Sequence, residues 1–219
     1  MTSTHEAATG LLPRLTARPV VAILRAPDAS RFVAASQVLY EAGFRCLEFT
    51  LTTEGALDAV EEVRGALPDD LVLGVGTVRA TSQVHDAVSA GADFLVSQVF
   101  RRPLVEAAHE LAVPFFPGAL TPSEILEAWE SGVPAVKVSP IGPVGGLDYF
   151  SQIRAPLPDV PLMPTGGVRL DEVTTYLQRG AIAVGLSGPL LGDALDGAGD
   201  LAALGRRARA VISSLAGTG

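Results

Sequence analysis

Short apolar runs alternate with longer amphipathic ones along most of the chain. Eight of the short runs read as strands, at 20–24, 46–51, 71–77, 94–98, 114–118, 135–139, 161–165 and 182–186. They are rich in β-branched residues and flanked by turn formers, the signature of buried strands. Between them apolar residues recur at helical spacing over 28–42, 54–66, 81–90, 102–112, 122–131, 147–154, 171–179 and near 198–215. The run Thr121-Pro122-Ser123-Glu124 carries a helix start signal, with proline in the first turn. Gly43, Gly91, Gly132 and Gly180 follow helical stretches, where a left-handed cap is wanted.

A strand, a helix and a glycine therefore repeat about every 25 residues, the length of a βα unit with its crossover. Eight such units predict a (β/α)8 TIM barrel in a single domain. A doubly wound open sheet alternates in the same way. The absence of Gly-x-Gly-x-x-Gly after the first strand favours closure. Residues 1–17, with a polar start over 1–10, are expected to form an N-terminal extension or helix, and 18–219 the barrel. Such a barrel places reactive groups at the C-terminal ends of its strands.

Composition narrows the classes of function. The 219 residues are 48% hydrophobic, enough for a substantial core, or for a core plus surface buried in an oligomer. A formal charge of −8 without a basic run argues against nucleic acid. The single cysteine, Cys46, excludes a disulfide framework and reads as a small core residue. His5, His85 and His109 lack metal-ligand spacing, so no metal is expected. No long apolar stretch suggests a signal peptide or a membrane span, and a cytoplasmic location is the default expectation.

Among the 16 basic residues a single one is lysine, Lys137, and it lies in Ala-Val-Lys-Val-Ser-Pro. An ammonium in such an apolar strand is costly to desolvate, and desolvation favours the neutral amine. A neutral amine condenses with ketones, which arginine cannot do. The alternative is a lysine at a strand end whose head reaches water.

Other polar residues gather at strand ends. Glu48 sits inside an apolar run, with Thr50 and Thr52 on the same side by alternation. It invites a proton-transfer role beside a buried lysine, or else a simple pairing with Arg45. Thr77 ends the third strand, and Ser97-Gln98 end the fourth. The turns after the last two strands, Thr165-Gly166-Gly167 and the one holding Ser187, are glycine-rich, where barrels often bind phosphate. Arg25 ends the first strand as a candidate anion ligand or a plain rim charge.

With these residues in place, the chain resembles the 2-keto-3-deoxy-6-phosphogluconate (KDPG) / 4-hydroxy-2-oxoglutarate aldolase family from about residue 18 to 213. The resemblance rests on Ala-Gly-Phe-Arg-Cys-Leu-Glu-Phe-Thr-Leu (42–51), Gly-Val-Gly-Thr-Val (74–78), Phe-Pro-Gly (116–118), Thr-Pro-Ser-Glu (121–124) and Val-Lys-Val-Ser-Pro (136–140). It implies a homotrimeric barrel that splits a keto acid into pyruvate and an aldehyde without metal or cofactor. Lys137 would form the Schiff base and Glu48 would serve as general acid/base. Thr77 would lie near the pyruvyl unit, with Gly166, Gly167 and Ser187 at the substrate phosphate.

The departures concern substrate reading. KDPG-specific members carry an arginine for the pyruvate carboxylate where Thr52 stands. They also have Ser-Pro-Gly where this chain has Ser97-Gln98-Val99, and Phe-Phe-Pro where it has Val138-Ser139-Pro140. The phosphogalactonate branch lacks that arginine too and ends its first strand Leu-Arg-Gly, which Leu24-Arg25-Ala26 resembles. Arg25 is then the candidate for anion binding. The readings that remain beside the aldolase are a β-keto acid decarboxylase using the same Schiff base, a catalytically weakened binding or assembly homologue, and another phosphate-binding barrel enzyme such as an epimerase.

Overall fold

The computed structural model describes residues 3–216, with side chains described from residue 10 onward. Its strands are β1 (Val20–Leu24), β2 (Cys46–Thr50), β3 (Val72–Gly76), β4 (Phe94–Val96), β5 (Phe115–Phe116), β6 (Gly118–Ala119), β7 (Val136–Val138), β8 (Leu162–Pro164) and β9 (Val184–Leu186). The helices between them are α2 (Phe32–Glu41), α3 (Ala56–Ala66), α4 (Thr81–Ser89), α5 (Arg102–Glu110), α6 (Pro122–Glu130), α7 (Gly146–Arg154) and α8 (Val173–Gln178). A helix α1 (Ser3–Ala17) precedes them, and α9 (Gly188–Leu191) and α10 (Leu201–Ala216) follow.

All strand pairs are parallel. Six strands form one sheet in the order β5-β4-β3-β2-β1-β9, and three form another in the order β6-β7-β8. Single parallel bridges, Leu162 with Ala181 and Thr165 with Gly185, connect β8 to the segment around β9. The run expected as one strand over 114–118 is two short strands on either side of Pro117. Proline has no N–H to give to a ladder, although the Pro117 carbonyl still accepts from Lys137 N at 2.9 Å. The result is a mostly parallel α/β fold with a curled sheet. Gly43, Gly91, Gly132 and Gly180 all have positive φ, between 84° and 105°, as their helix-ending positions require.

Strand alternation sorts the buried side chains into two cores. Val20, Ala22, Leu24, Leu47, Phe49, Leu73, Val75, Leu95, Val136 and Leu186 face the helices in one large cluster. Their neighbours Val21, Ile23, Cys46, Val72, Phe94, Val96, Phe116 and Met163 form a smaller cluster on the other face of the sheet. Phe94 and Phe116 meet edge-on there, with ring centroids 5.7 Å apart. Cys46 is part of this inner cluster, where burial pushes its thiol up.

The N-terminal segment is more than an appendage. Leu11 and Leu15 of α1 are 6% and 3% exposed and belong to the inner cluster. The polar start conceals this burial because the apolar stripe is carried by few residues. Among the described residues no helix is long and apolar enough to cross a membrane.

Candidate active site

On β2, Leu47 and Phe49 point outward, so Glu48 points inward, and on β7 the flanking Val136 and Val138 do the same for Lys137. The register aligns Glu48 with Ile23 and Gly74, and Lys137 with Gly118 and Met163. The two side chains thus leave different sheets and meet in the interior. Lys137 Nζ stands 3.6 Å from Glu48 Oε1, with the side chains 6% and 0% exposed. Neither carboxylate oxygen of Glu48 has a hydrogen-bond partner. A buried carboxylate costs several kcal/mol to desolvate, and Lys137 is the basic group that stands beside this one. The pairing with Arg45 is not formed: Arg45 stands instead 2.8 Å from Asp70 and over the Tyr40 ring.

Lys137 opens onto a cavity of about 470 Å³. Arg25, Gln98, Ser139, Thr165, Gly166 and Ser187 share its wall. Arg25 Nη2 donates to Thr77 Oγ1 at 3.2 Å, which ties Thr77 to the same site. Thr77 itself has φ of 63°, a rare conformation for a β-branched residue. Gln98 and Ser139 are joined twice. Gln98 Nε2 donates to the Ser139 carbonyl at 3.1 Å, and Ser139 Oγ donates to Gln98 Oε1 at 3.4 Å. Gly166 packs closely here, since a Cβ on it would stand 3.2 Å from Ser139 Oγ.

Two expected residues lie elsewhere. Thr52 falls past the end of β2, where its Oγ1 donates to Thr50 Oγ1 at 3.4 Å, and it is absent from the cavity wall. Gly167 faces a different cavity of about 560 Å³, beside Gly142, Arg169 and Arg179. Gly166 and Gly167 both have positive φ, 82° and 86°.

Other lining residues escaped the sequence reading. Pro27 and the stretch holding Leu191, Gly192, Leu195 and Asp196 close the cavity. The short helix α9 lacks the length to show a helical period. The glycine and aspartate content of 188–197, after the last strand, was the available signal. Among the described residues no group of three or more His, Cys, Asp or Glu is arranged to hold a metal ion.

A buried amine beside a buried carboxylate that makes no hydrogen bond among the described residues, with the amine lining a cavity rimmed by strand ends, is an arrangement suited to imine chemistry with proton transfer. Comparison with known proteins points the same way. The family model for KDPG and KHG aldolase matches residues 12–206. The 2-dehydro-3-deoxy-phosphogluconate aldolase of Dickeya dadantii is 34% identical over 183 residues, 83% of this chain and 85% of that protein. The KHG/KDPG aldolase of Escherichia coli is 33% identical over 199 residues, 90% of this chain and 92% of that protein. Among solved structures, the KDPG aldolase of Legionella pneumophila, with pyruvate captured at low pH as a covalent carbinolamine intermediate, superposes with a TM-score of 0.83 at 27% identity, covering 91% of this chain and 97% of that one. Matched through nearly all of its parallel α/β body, this chain belongs to the KDPG and KHG aldolase family, whose members are carbon–carbon lyases.

Proposed function

We propose that the protein is a class I, Schiff-base aldolase that cleaves a 2-keto-3-deoxy sugar acid phosphate or 4-hydroxy-2-oxoglutarate into pyruvate and an aldehyde. The observation that carries this reading is the 3.6 Å approach of the buried Lys137 amine to the unpartnered carboxylate of Glu48. The carbinolamine in the related Legionella pneumophila enzyme supports the same chemistry.

Lys137 Nζ, as the neutral amine, adds to the C2 ketone. The carbinolamine loses water to give an iminium, which is an electron sink. Glu48 takes the proton of the C4 hydroxyl as the C3–C4 bond breaks, and the bonding pair moves into the iminium to form an enamine. The aldehyde leaves. Protonation of the enamine at C3 and hydrolysis of the imine release pyruvate and restore the amine. Arg25, exposed and held by Thr77, takes the pyruvyl carboxylate in place of the absent strand-2 arginine. Gly166 and Ser187 receive the distal phosphate or carboxylate, while Gly167, facing another cavity, is left out of that role.

This reading also takes the two sheets as arcs of one (β/α)8 barrel. The β8–β9 bridges and the continuity of β5 with β6 through Pro117 support that closure. A homotrimer is part of the same proposal, with the exposed Val99 and Leu126 among the surfaces it would cover.

The test is borohydride reduction with and without pyruvate, followed by intact-mass and peptide mass spectrometry. A pyruvate-dependent adduct on Lys137 is expected. Folded protein that gives no adduct would remove the Schiff-base reading. Release of carbon dioxide from oxaloacetate, with no aldehyde from any 2-keto-3-deoxy acid, would move the assignment to a decarboxylase.

A further inference from the structure

Gly76 ends β3 directly beside the Glu48 side chain. A Cβ on Gly76 would overlap Glu48 Oε1 and stand 2.6 Å from Cδ and 2.8 Å from Cγ. Cβ atoms essentially never come that close to another heavy atom, so a side chain at this position and the present carboxylate cannot coexist. The backbone itself does not call for glycine. Gly76 lies within a strand and is not among the positive-φ residues, so other residue types could adopt its conformation. Nor can β3 move away, because Leu51 N donates to the Gly76 carbonyl at 2.9 Å and Thr50 pairs with Gly76 in the β2–β3 ladder. Gly74, two residues earlier on the same face, differs in kind. Its missing Cβ makes room for the Phe94 ring, a packing contact of the inner core.

We propose that Gly76 is a positioning residue for the reaction: the space left by its missing side chain is the slot that holds the Glu48 carboxylate beside Lys137. The inference rests on the aldolase reading for its kinetic consequence, but the slot itself does not. The carboxylate end is the far part of a flexible side chain. A methyl group at 76 therefore displaces Glu48, while the ladder that fixes β3 remains. Lys137 then keeps its place on β7 and can still form the imine, but the proton transfers lose their group.

Four proteins test this: wild type, Gly76→Ala, Glu48→Ala and the double variant. In the first measurement, each is unfolded in urea. Gly76→Ala is expected to lower the midpoint when Glu48 is present and to leave it nearly unchanged in the Glu48→Ala background, where the slot is empty. Equal shifts in both backgrounds would overturn the proposal. If Gly76→Ala alone is insoluble, a soluble double variant supports the slot, and an insoluble one overturns it. In the second, deuterium exchange of the pyruvate methyl protons is compared with borohydride trapping of the Lys137 adduct. Gly76→Ala should retain the adduct while exchange falls at least about 100-fold, the scale of a lost general acid/base, with no further loss on adding Glu48→Ala. Exchange at the wild-type rate in Gly76→Ala would also overturn the proposal. A wild-type protein that forms no pyruvate adduct would sink the aldolase reading alone, leaving the urea comparison to decide the slot.

Discussion

Arg25 and Thr77, fifty-two residues apart in sequence, are joined at 3.2 Å across the ends of β1 and β3, and Thr77 holds a left-handed φ of 63° to make the contact. A β-branched residue in that region stores about 1–3 kcal/mol of strain. Thr77→Gly should relieve it and raise stability by about 1 kcal/mol, the glycine's greater freedom when unfolded offsetting part of the gain. The same change removes the hydroxyl that Arg25 bonds, so KM for pyruvate in the condensation direction should rise several-fold. Urea unfolding and steady-state kinetics check the two halves. A variant destabilised by more than about 1 kcal/mol would refute the strain argument.

The bond from Ser139 Oγ to Gln98 Oε1, beside the one from Gln98 Nε2 to the Ser139 backbone carbonyl, predicts under the proposed aldolase reading that the two side chains act as a unit in choosing the aldehyde. Gln98→Ala and Ser139→Ala should each change the ratio of kcat/KM for phosphorylated over unphosphorylated aldehydes. The double variant should be no worse than the more damaged single one, with a coupling of about 1 kcal/mol. Independent, additive effects would show that the pair is only adjacent.

Acid stability should depend on the start of α6. The Glu124 carboxyl accepts from Thr121 N at 2.8 Å, from Leu120 N at 3.1 Å and from Thr121 Oγ1 at 2.9 Å. The backbone bond from Thr121, followed by that from Leu120, holds it below the usual carboxylate range. A carboxyl lowered in the folded state stabilises fully above its unfolded pKa, about 4.3 for glutamate. That contribution is lost as pH falls through the folded value. Glu124→Gln should therefore flatten the stability profile as pH falls through about 4.3 and below, as read from urea midpoints. Asp70, Asp171 and Asp200, lowered as well, retain their own share of the acid dependence. Glu124 N donates in turn to Thr121 Oγ1 at 3.4 Å, so Thr121→Ala, which removes this helix cap, should cost about 1 kcal/mol at pH 7.

Leu15 of α1 reaches the inner cluster with 3% exposure. Leu15→Ala should cost about 2–4 kcal/mol, as for a core leucine, while Lys137 still traps pyruvate. A loss below about 1 kcal/mol would mean that α1 contributes little to the interior.

The strands and most helices are legible in the sequence because alternation and helical periodicity are local properties. β1, expected over 20–24, occupies just those residues. Several other strands are shorter than expected, and Gln98 and Ser139, expected inside strands, leave the ladder and turn over the site. Lys137 and Glu48 stand out in sequence because each is a charge in an apolar run, and the structure brings them together. The Arg25–Thr77 and Gln98–Ser139 contacts depend on which strand ends come within a few ångströms, which curvature and register decide. Gly76 looks like any strand glycine until the Glu48 side chain is seen against it. Residues 1–17 read as an extension or helix, but so polar a segment does not show the burial of Leu11 and Leu15, and α9 is too brief to show a period.

The division into two apolar clusters has a consequence for how this scaffold can change. The larger cluster lies between strands and helices, and the smaller one includes the leucines of α1. Arg25, Gln98 and Ser187 belong to neither; they stand on strand-end segments around an open cavity. Substitutions there disturb little of the packing that keeps the chain folded. Under the proposed aldolase reading, new aldehyde partners can therefore be sampled one loop residue at a time, while Lys137 and Glu48 stay anchored in the strands.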